Sequence, residues 1–195
     1  MFKKSKEKKF YTTYEAGDML FVSHSTIIEW INAGRIKAVK TLGGHRRIPK
    51  EELNTFMKRN GFHLPKKDPS RILIVDDDES IRIGLKELLE EQGFKVDAVS
   101  DGFEAGVLAI HTEPSLIILD LKMQGLDGFS ACRLIKTNPL LKNIKILVLT
   151  GYPSEENLNR IQKLGADRCL AKPAENKILL DEIHSLLGVE KSKNK

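Results

Sequence analysis

From residue 71 onward, the hydrophobic positions alternate between two spacings. Ile72–Val75 is a continuous apolar run of the length of a buried strand. In Ser80–Gln92, Ile81, Leu85, Leu88 and Leu89 fall on one helical face before Gly93 stops the pattern. The alternation then repeats. Lys95–Val99, Leu116–Asp120, Ile144–Thr150 and Arg168–Ala171 read as strands, and the stretches near Phe103–His111, Gly128–Lys136, Glu155–Leu164 and Ala174–Leu187 read as helices. Five strands alternating with five helices predict an α/β domain: a doubly wound, five-stranded parallel sheet covered on both faces and joined by right-handed crossovers.

The first sixty residues follow a different pattern. Thr12 and Glu15 have capping-box spacing and predict a helix over Thr13–Leu20. Ser23 is a second N-cap, opening a helix over His24–Ala33 that Gly34 ends. Ile27, Trp30 and Ile31 form its inner face, which makes Trp30 a core residue. Strand-like Ile36–Leu42 and His45–Ile48 flank the turn signal Gly43-Gly44, and Pro49 suits the first turn of a third helix carrying Leu53, Phe56 and Met57. Two helices joined by a short turn and followed by a hairpin describe a small winged helix-turn-helix. Gly61–Ser70, with two prolines and no periodicity, reads as a linker. The expected organisation is therefore 1–60, a linker at 61–70, an α/β domain at 71–188 and a basic tail at 189–195.

Charge sharpens this division. The 195 residues carry a net charge of +5, but residues 1–67 hold 15 Lys and Arg against 6 Asp and Glu, while residues 68–195 hold 17 against 21. A basic front implies an anionic partner. The apolar runs Leu116–Leu119 and Ile146–Leu149 are far too short to span a bilayer, so no membrane partner is expected. The start, MFKKSKEKKF, lacks the apolar stretch of a secretory signal. Cys132 and Cys169 are too few for a disulfide framework, and two reduced thiols fit a cytoplasmic location.

In such sheets, function gathers at the carboxyl ends of the strands. There stand Asp76-Asp77-Asp78, Asp120, Thr150 and Lys172-Pro173. Asp also starts turns and caps helices, so the Asp triplet alone is ambiguous. Four elements on one rim are not. Clustered carboxylates repel, and Mg²⁺ relieves that repulsion. Asp120 can then attack phosphorus as a nucleophile, with Lys172 and Thr150 meeting the oxygens of the transferred group.

Ile72-Leu-Ile-Val-Asp-Asp-Asp78, Leu116-Ile-Ile-Leu-Asp120 with Gly125-Leu-Asp-Gly128, Leu147-Val-Leu-Thr-Gly151 and Gly165-Ala-Asp167…Leu170-Ala-Lys-Pro173 together resemble a response-regulator receiver domain, of flavodoxin-like fold. The resemblance implies that Asp120 is the phosphoacceptor. It also implies that Asp76, Asp77, Asp120 and the backbone carbonyl of Lys122 bind Mg²⁺, that Thr150 is the switch hydroxyl, that Lys172 binds phosphate, and that the Lys172–Pro173 bond is cis. Three features depart from the pattern or vary within it. Cys169 stands where the family commonly has the aromatic that reports phosphorylation, and a thiol cannot reproduce its swing. Gln124 replaces a common proline. Lys122 and Tyr152 occupy positions that overhang the phosphoryl group and can slow the attack of water.

In the front module, Ser23, His24, Ser25 and Thr26 open the second helix, the one that enters the major groove in helix-turn-helix proteins. Lys40, His45, Arg46 and Arg47 on the hairpin suit phosphates or the minor groove, and Lys3, Lys4, Lys6, Lys8 and Lys9 add nonspecific attraction. His45 has no partner at metal-ligand spacing. Tyr11-Thr-Thr-Tyr-Glu-Ala16, Val22-Ser23…Thr26-Ile-Ile-Glu-Trp30, Ala33-Gly-Arg-Ile36 and Thr41-Leu-Gly-Gly-His-Arg-Arg-Ile-Pro49 resemble the excisionase- and MerR-type winged helix-turn-helix. No heptad run follows to supply a dimerising coiled coil, so a homodimer would need the receiver or adjacent binding on DNA. The combined expectation is a non-enzymatic two-component response regulator. A sensor histidine kinase would phosphorylate it on Asp120, and its binding to double-stranded DNA would control transcription. The alternatives are a constitutive architectural DNA-binding protein with the receiver as a dimerisation module, an aspartyl-phosphate hydrolase, and a helix-turn-helix that binds protein.

Overall fold

A computed structural model describes residues 9–60 and 68–189. Most of the expected linker, Lys3, Lys4, Lys6, Lys8 and the tail beyond Val189 lie outside the described residues. The chain divides into two compact units, residues 1–63 and 64–195.

The first unit runs β1 (Phe10–Tyr11), α1 (Thr13–Leu20), α2 (His24–Asn32), β2 (Val39–Lys40), β3 (Arg46–Pro49) and α3 (Lys50–Arg59). The local signals act as expected. The Thr12 side chain accepts from the Glu15 N–H while Glu15 reaches back to the Thr12 N–H, and Ser23 caps α2 by accepting from the Thr26 N–H. The turn between α1 and α2 is so tight that a Cβ on Gly17 would lie 2.7 Å from the Val22 carbonyl oxygen, a separation only glycine permits. Ala16, Ile27, Ile36, Ile48, Leu53, Phe56 and Met57 form the buried core.

Four details differ from the sequence reading. Phe10–Tyr11, too short to show a period, forms an edge strand on β3, giving the sheet order β1-β3-β2. The strand predicted over Ile36–Leu42 shrinks to Val39–Lys40 because the N–H groups of Arg35 and Ile36 both donate to the Trp30 carbonyl and finish α2 instead. The hairpin loop has three residues, Leu42–Gly44. Gly44 N–H donates to Thr41 O at 2.9 Å and Gly44 itself takes φ +78°, the type I turn plus left-handed residue that closes such a loop. Trp30 is half-buried rather than a core residue, lying over Phe56 with ring centroids 5.0 Å apart, and Ile31 is likewise half-buried.

The second unit runs β4 (Asp68–Val75), α4 (Glu79–Glu91), β5 (Lys95–Val99), α5 (Gly102–Thr112), β6 (Pro114–Leu119), α6 (Gly128–Thr137), β7 (Lys145–Thr150), α7 (Glu155–Lys163), β8 (Arg168–Ala171) and α8 (Asn176–Leu187). All five strands are parallel, in the order β5-β4-β6-β7-β8. On one face Ile72, Ile74, Leu116, Ile118, Leu147 and Leu149 pack with Leu89 of α4 and with Leu179 and Ile183 of α8. The alternate residues Leu73, Ile117 and Val148 are buried too, which is why these strands read as unbroken apolar runs. β4 begins at Asp68, four residues before the apolar run, and its register with β6 shifts between Asp68 and Ile72. The chain order reverses between β4 and β6, and the crevice at their carboxyl ends is where such sheets place a site.

Candidate functional site

β4 ends at Val75 and β6 at Leu119, so the next residue of each, Asp76 and Asp120, projects at that crevice. The Asp120 N–H donates to the Val75 carbonyl at 2.9 Å, which ties the two strand ends together. Asp76 is 3% exposed and Asp120 6% exposed, while Asp77 is exposed. One carboxylate oxygen from each of the three lies within 4.8 Å of the others. The third residue of the triplet has a different job. Asp78 caps α4, accepting from the Ser80 N–H at 2.8 Å and the Ser80 hydroxyl at 2.6 Å, and those bonds hold its carboxyl below the usual carboxylate range.

Lys172, following β8, places its ammonium 2.6 Å from Asp76 Oδ2 and 3.5 Å from Asp120 Oδ1. The second separation is an ion pair, not a hydrogen bond, and Asp120 Oδ1 is buried with no hydrogen-bond partner among the described residues. Burial pushes the Asp120 carboxyl up, the Lys172 charge holds it down, and the Asp76 charge pushes it up again. Three carboxylates against one ammonium, with a buried oxygen left over, suit a hard divalent cation in donor type, charge and spacing.

The surrounding loops hold this arrangement. Gly128 opens α6 against the end of β6, where a Cβ would fall 2.0 Å from the Asp120 carbonyl oxygen. The Gln124 N–H donates to Asp77 Oδ2 at 3.2 Å. The proline common at this position in the family has no N–H to give, so the departure noted in the sequence adds a tie to Asp77. Thr150, at the end of β7, has no exposed surface, and its hydroxyl oxygen accepts from the Tyr152 N–H at 3.1 Å. The Lys172 N–H donates to the Thr150 carbonyl at 2.8 Å, and the Lys172–Pro173 bond is cis. Lys122 and Tyr152 meet across the two loops, Nζ to hydroxyl, at 2.9 Å. A recess of about 430 Å³ opens beside them, lined also by Phe129, Asn157 and Arg160. Cys169 is half-buried on β8, where burial pushes its thiol up.

In the first unit, Ser23, His24 and Ser25 are exposed and Thr26 is half-buried at the start of α2. Lys40 lies opposite Arg46 in the β2–β3 ladder, and Arg47 opposite Val39. Lys40 and His45 are exposed, with Arg46 and Arg47 half-buried; Arg46 also donates to Asn32 Oδ1 at the end of α2, at 3.0 Å. Two features escaped sequence reasoning. Tyr14 stacks on His24, with centroids 4.3 Å apart and planes 18° apart. Asp167 accepts from Lys136 at 2.7 Å, Lys145 at 2.8 Å and the Ile146 N–H at 3.0 Å, binding α6 to the sheet. Neither leaves a local signal, because the partners lie ten or more positions apart.

Comparison with known proteins agrees with this layout. Residues 72–184 match the response regulator receiver domain, and residues 10–61 match a helix-turn-helix domain. The transcriptional regulatory protein GltR of Pseudomonas aeruginosa is 40% identical over 116 residues, 60% of this chain and 48% of that protein. The signal receiver domain of a DNA-binding response regulator (merR) from Colwellia psychrerythraea superposes with a TM-score of 0.58 at 36% identity, covering 60% of this chain and 98% of that one. The receiver domain of a sensor histidine kinase from Pseudomonas aeruginosa, whose crystal structure has magnesium coordinated in the active site cleft, superposes with a TM-score of 0.58 at 26% identity, covering 61% and 98%. The chain spans between a fifth and about half of the length of the first curated relatives it matches.

Proposed function

The chain belongs to the response regulator receiver family and carries a helix-turn-helix domain ahead of its receiver, and on that premise we propose that it is a two-component response regulator whose DNA binding is set by phosphorylation of Asp120. The proposed division is a DNA-binding domain at 1–60, a linker at 61–70, a receiver at 71–188 and a basic tail at 189–195. The matched families are regulators rather than enzymes. No helix among the described residues is long and apolar enough to cross a membrane, and the proposed location is cytoplasmic.

One observation carries the reading: Asp120 Oδ1 is buried without a hydrogen-bond partner among the described residues, beside an ammonium 3.5 Å away. That oxygen is the nucleophile. It attacks the phosphorus of a phosphohistidine on a sensor histidine kinase, a P–O bond forms, the P–N bond breaks, and the imidazole leaves with a proton from solvent. Asp76, Asp77, Asp120 and the Lys122 backbone carbonyl would hold Mg²⁺, which supplies positive charge to the equatorial oxygens. Lys172 moves from its pairing with Asp76 toward the new phosphoryl oxygens, and the Thr150 hydroxyl donates to one of them. The Lys122–Tyr152 bridge shields the acyl phosphate from water.

The DNA side rests on charge. Lys40 opposes Arg46 directly, and like charges across a ladder destabilise it unless a polyanion neutralises them. Ser23, His24, Ser25 and Thr26 face base edges, and Lys40, His45, Arg46 and Arg47 face the backbone. A DNA titration of the full chain, with and without beryllofluoride and Mg²⁺, tests the whole. The expected result is a shift in affinity or in mass in solution that Asp120→Asn abolishes. Equal DNA binding in both states favours the second reading, a constitutive architectural protein, for which Cys169 in place of the reporting aromatic is the supporting observation.

A further inference from the structure

Of the four polar residues that open α2, three are engaged with one another. The Ser23 hydroxyl accepts from the Thr26 N–H at 3.1 Å and shares hydrogen bonds with the Ser25 hydroxyl at 2.6 Å and the Thr26 hydroxyl at 2.9 Å. The cluster serves the helix start, and a base edge would have to compete with it. His24 stands apart from that cluster. Its exposed imidazole lies against the ring of Tyr14, which comes from α1 and is itself 63% exposed. An exposed aromatic ring that covers an exposed imidazole, nearly parallel at 4.3 Å, adds little to the core of this unit. Its physical effect is to hold the imidazole in one orientation, so that less side-chain freedom is lost when a partner binds. The cations of the hairpin attract any duplex; an oriented imidazole, whose ring nitrogens hydrogen-bond in fixed directions, discriminates among base pairs.

We propose that Tyr14 and His24 act as one sequence-reading unit, in which His24 meets base edges in the major groove and Tyr14 is the positioning residue that fixes its ring. The inference rests on the DNA-binding reading of the first unit. It predicts coupling between two residues that a contact-by-contact account of α2 would treat separately.

The test uses the full chain and a pool of random-sequence duplexes, sequenced after rounds of binding. Wild type is expected to enrich a defined sequence. Tyr14→Ala and His24→Ala should each bind that duplex about tenfold more weakly and lose preference at the same base positions. The double variant should bind no more weakly than either single one, since removing either ring already disables the unit. Tyr14→Phe, which keeps the stacked ring, should restore the preference lost in Tyr14→Ala. Unchanged thermal melting of the variants separates these effects from misfolding, and both side chains are exposed enough to expect it. Additive losses, losses at different base positions, or a Tyr14→Ala variant with the wild-type preference would overturn the inference and leave DNA binding standing. A wild-type chain that retains duplex without enriching any sequence would overturn this inference alone, and one that retains no duplex would remove the DNA-binding reading with it.

Discussion

The acidic site of the receiver and the polar face of the helix-turn-helix are built in opposite ways. Asp76, Asp120 and Thr150 are almost wholly buried, at strand ends fixed by a parallel ladder. Ser23, His24 and the basic side chains of the hairpin lie outside the core, on a helix start and a short ribbon. The contrast follows from the tasks proposed for them. Phosphoryl transfer needs charges held in fixed geometry away from bulk water, where they interact strongly. Duplex recognition needs side chains that can reach a groove and whose charge is felt at long range. Replacing a residue of the first kind should therefore have large, all-or-none effects, and a residue of the second kind small, graded ones.

The largest effect expected is at Asp120. Asp120→Asn keeps the shape and removes the nucleophile, so labelling by radioactive acetyl phosphate should fall to background. Retained labelling at the wild-type level would remove Asp120 from the role proposed for it. Next is Gly128→Ala. Its new Cβ meets backbone atoms, which cannot swing aside as a side chain can. A loss of about 3 kcal/mol in urea unfolding is expected, with slower labelling, because the displaced atoms belong to Asp120 and Leu121.

Asp167→Asn tests a part of the receiver that does no chemistry. Burial pushes the Asp167 carboxyl up, but hydrogen bonds from Lys136, Lys145 and the Ile146 N–H outweigh it, so it lies below the usual carboxylate range. Removing its charge leaves a largely buried Lys136 ammonium without its counterion. The expected cost is about 2 kcal/mol, between the surface and fully buried cases. The folded-state pKa is depressed, so this contribution is full above the unfolded value of about 4 and is lost as pH falls through the folded value. The gap in stability between wild type and variant should therefore narrow in acid. A gap that stays constant from pH 7 to 3 contradicts the assignment. The smallest effect belongs to the exposed region. Ser23→Ala removes the cap of α2 and should lower the stability of the first unit by about 1 kcal/mol, read by the thermal melting of that unit. A loss as large as that of Gly128→Ala would break the contrast drawn between the two regions.

Much of this was legible locally. Thr12 with Glu15, Ser23 and Gly34 mark helix ends through bonds to atoms three or four residues away, so the chain states them outright. The strand runs and the acidic residues that follow them were equally plain, because in a parallel sheet every strand end that matters lies on the same rim. The Asp triplet was only half legible. Its composition did not say which Asp was spent on capping, and the structure assigns that task to Asp78. Trp30 was misjudged because helical spacing gives the direction of a side chain, not how much neighbouring chain exists to cover it. The hairpin strand was overestimated because the Arg35 and Ile36 N–H groups found an acceptor in the preceding helix. Nothing local showed what Gln124 does in place of a common proline, yet its backbone N–H holds Asp77.

The sequence by itself determined two domains of opposite charge, the order of their elements, and the residues that stand where chemistry or recognition can occur, since periodicity, caps and net charge act over a few residues and need no tertiary contact. Only the tertiary structure decided how those residues are partnered: the Lys172 ammonium on Asp76 across 96 positions, the Asp120 oxygen left without a hydrogen bond among the described residues, the Lys136–Asp167–Lys145 clamp and the ring of Tyr14 on His24. Such pairings depend on the register and packing of elements distant in sequence, and no local pattern encodes them.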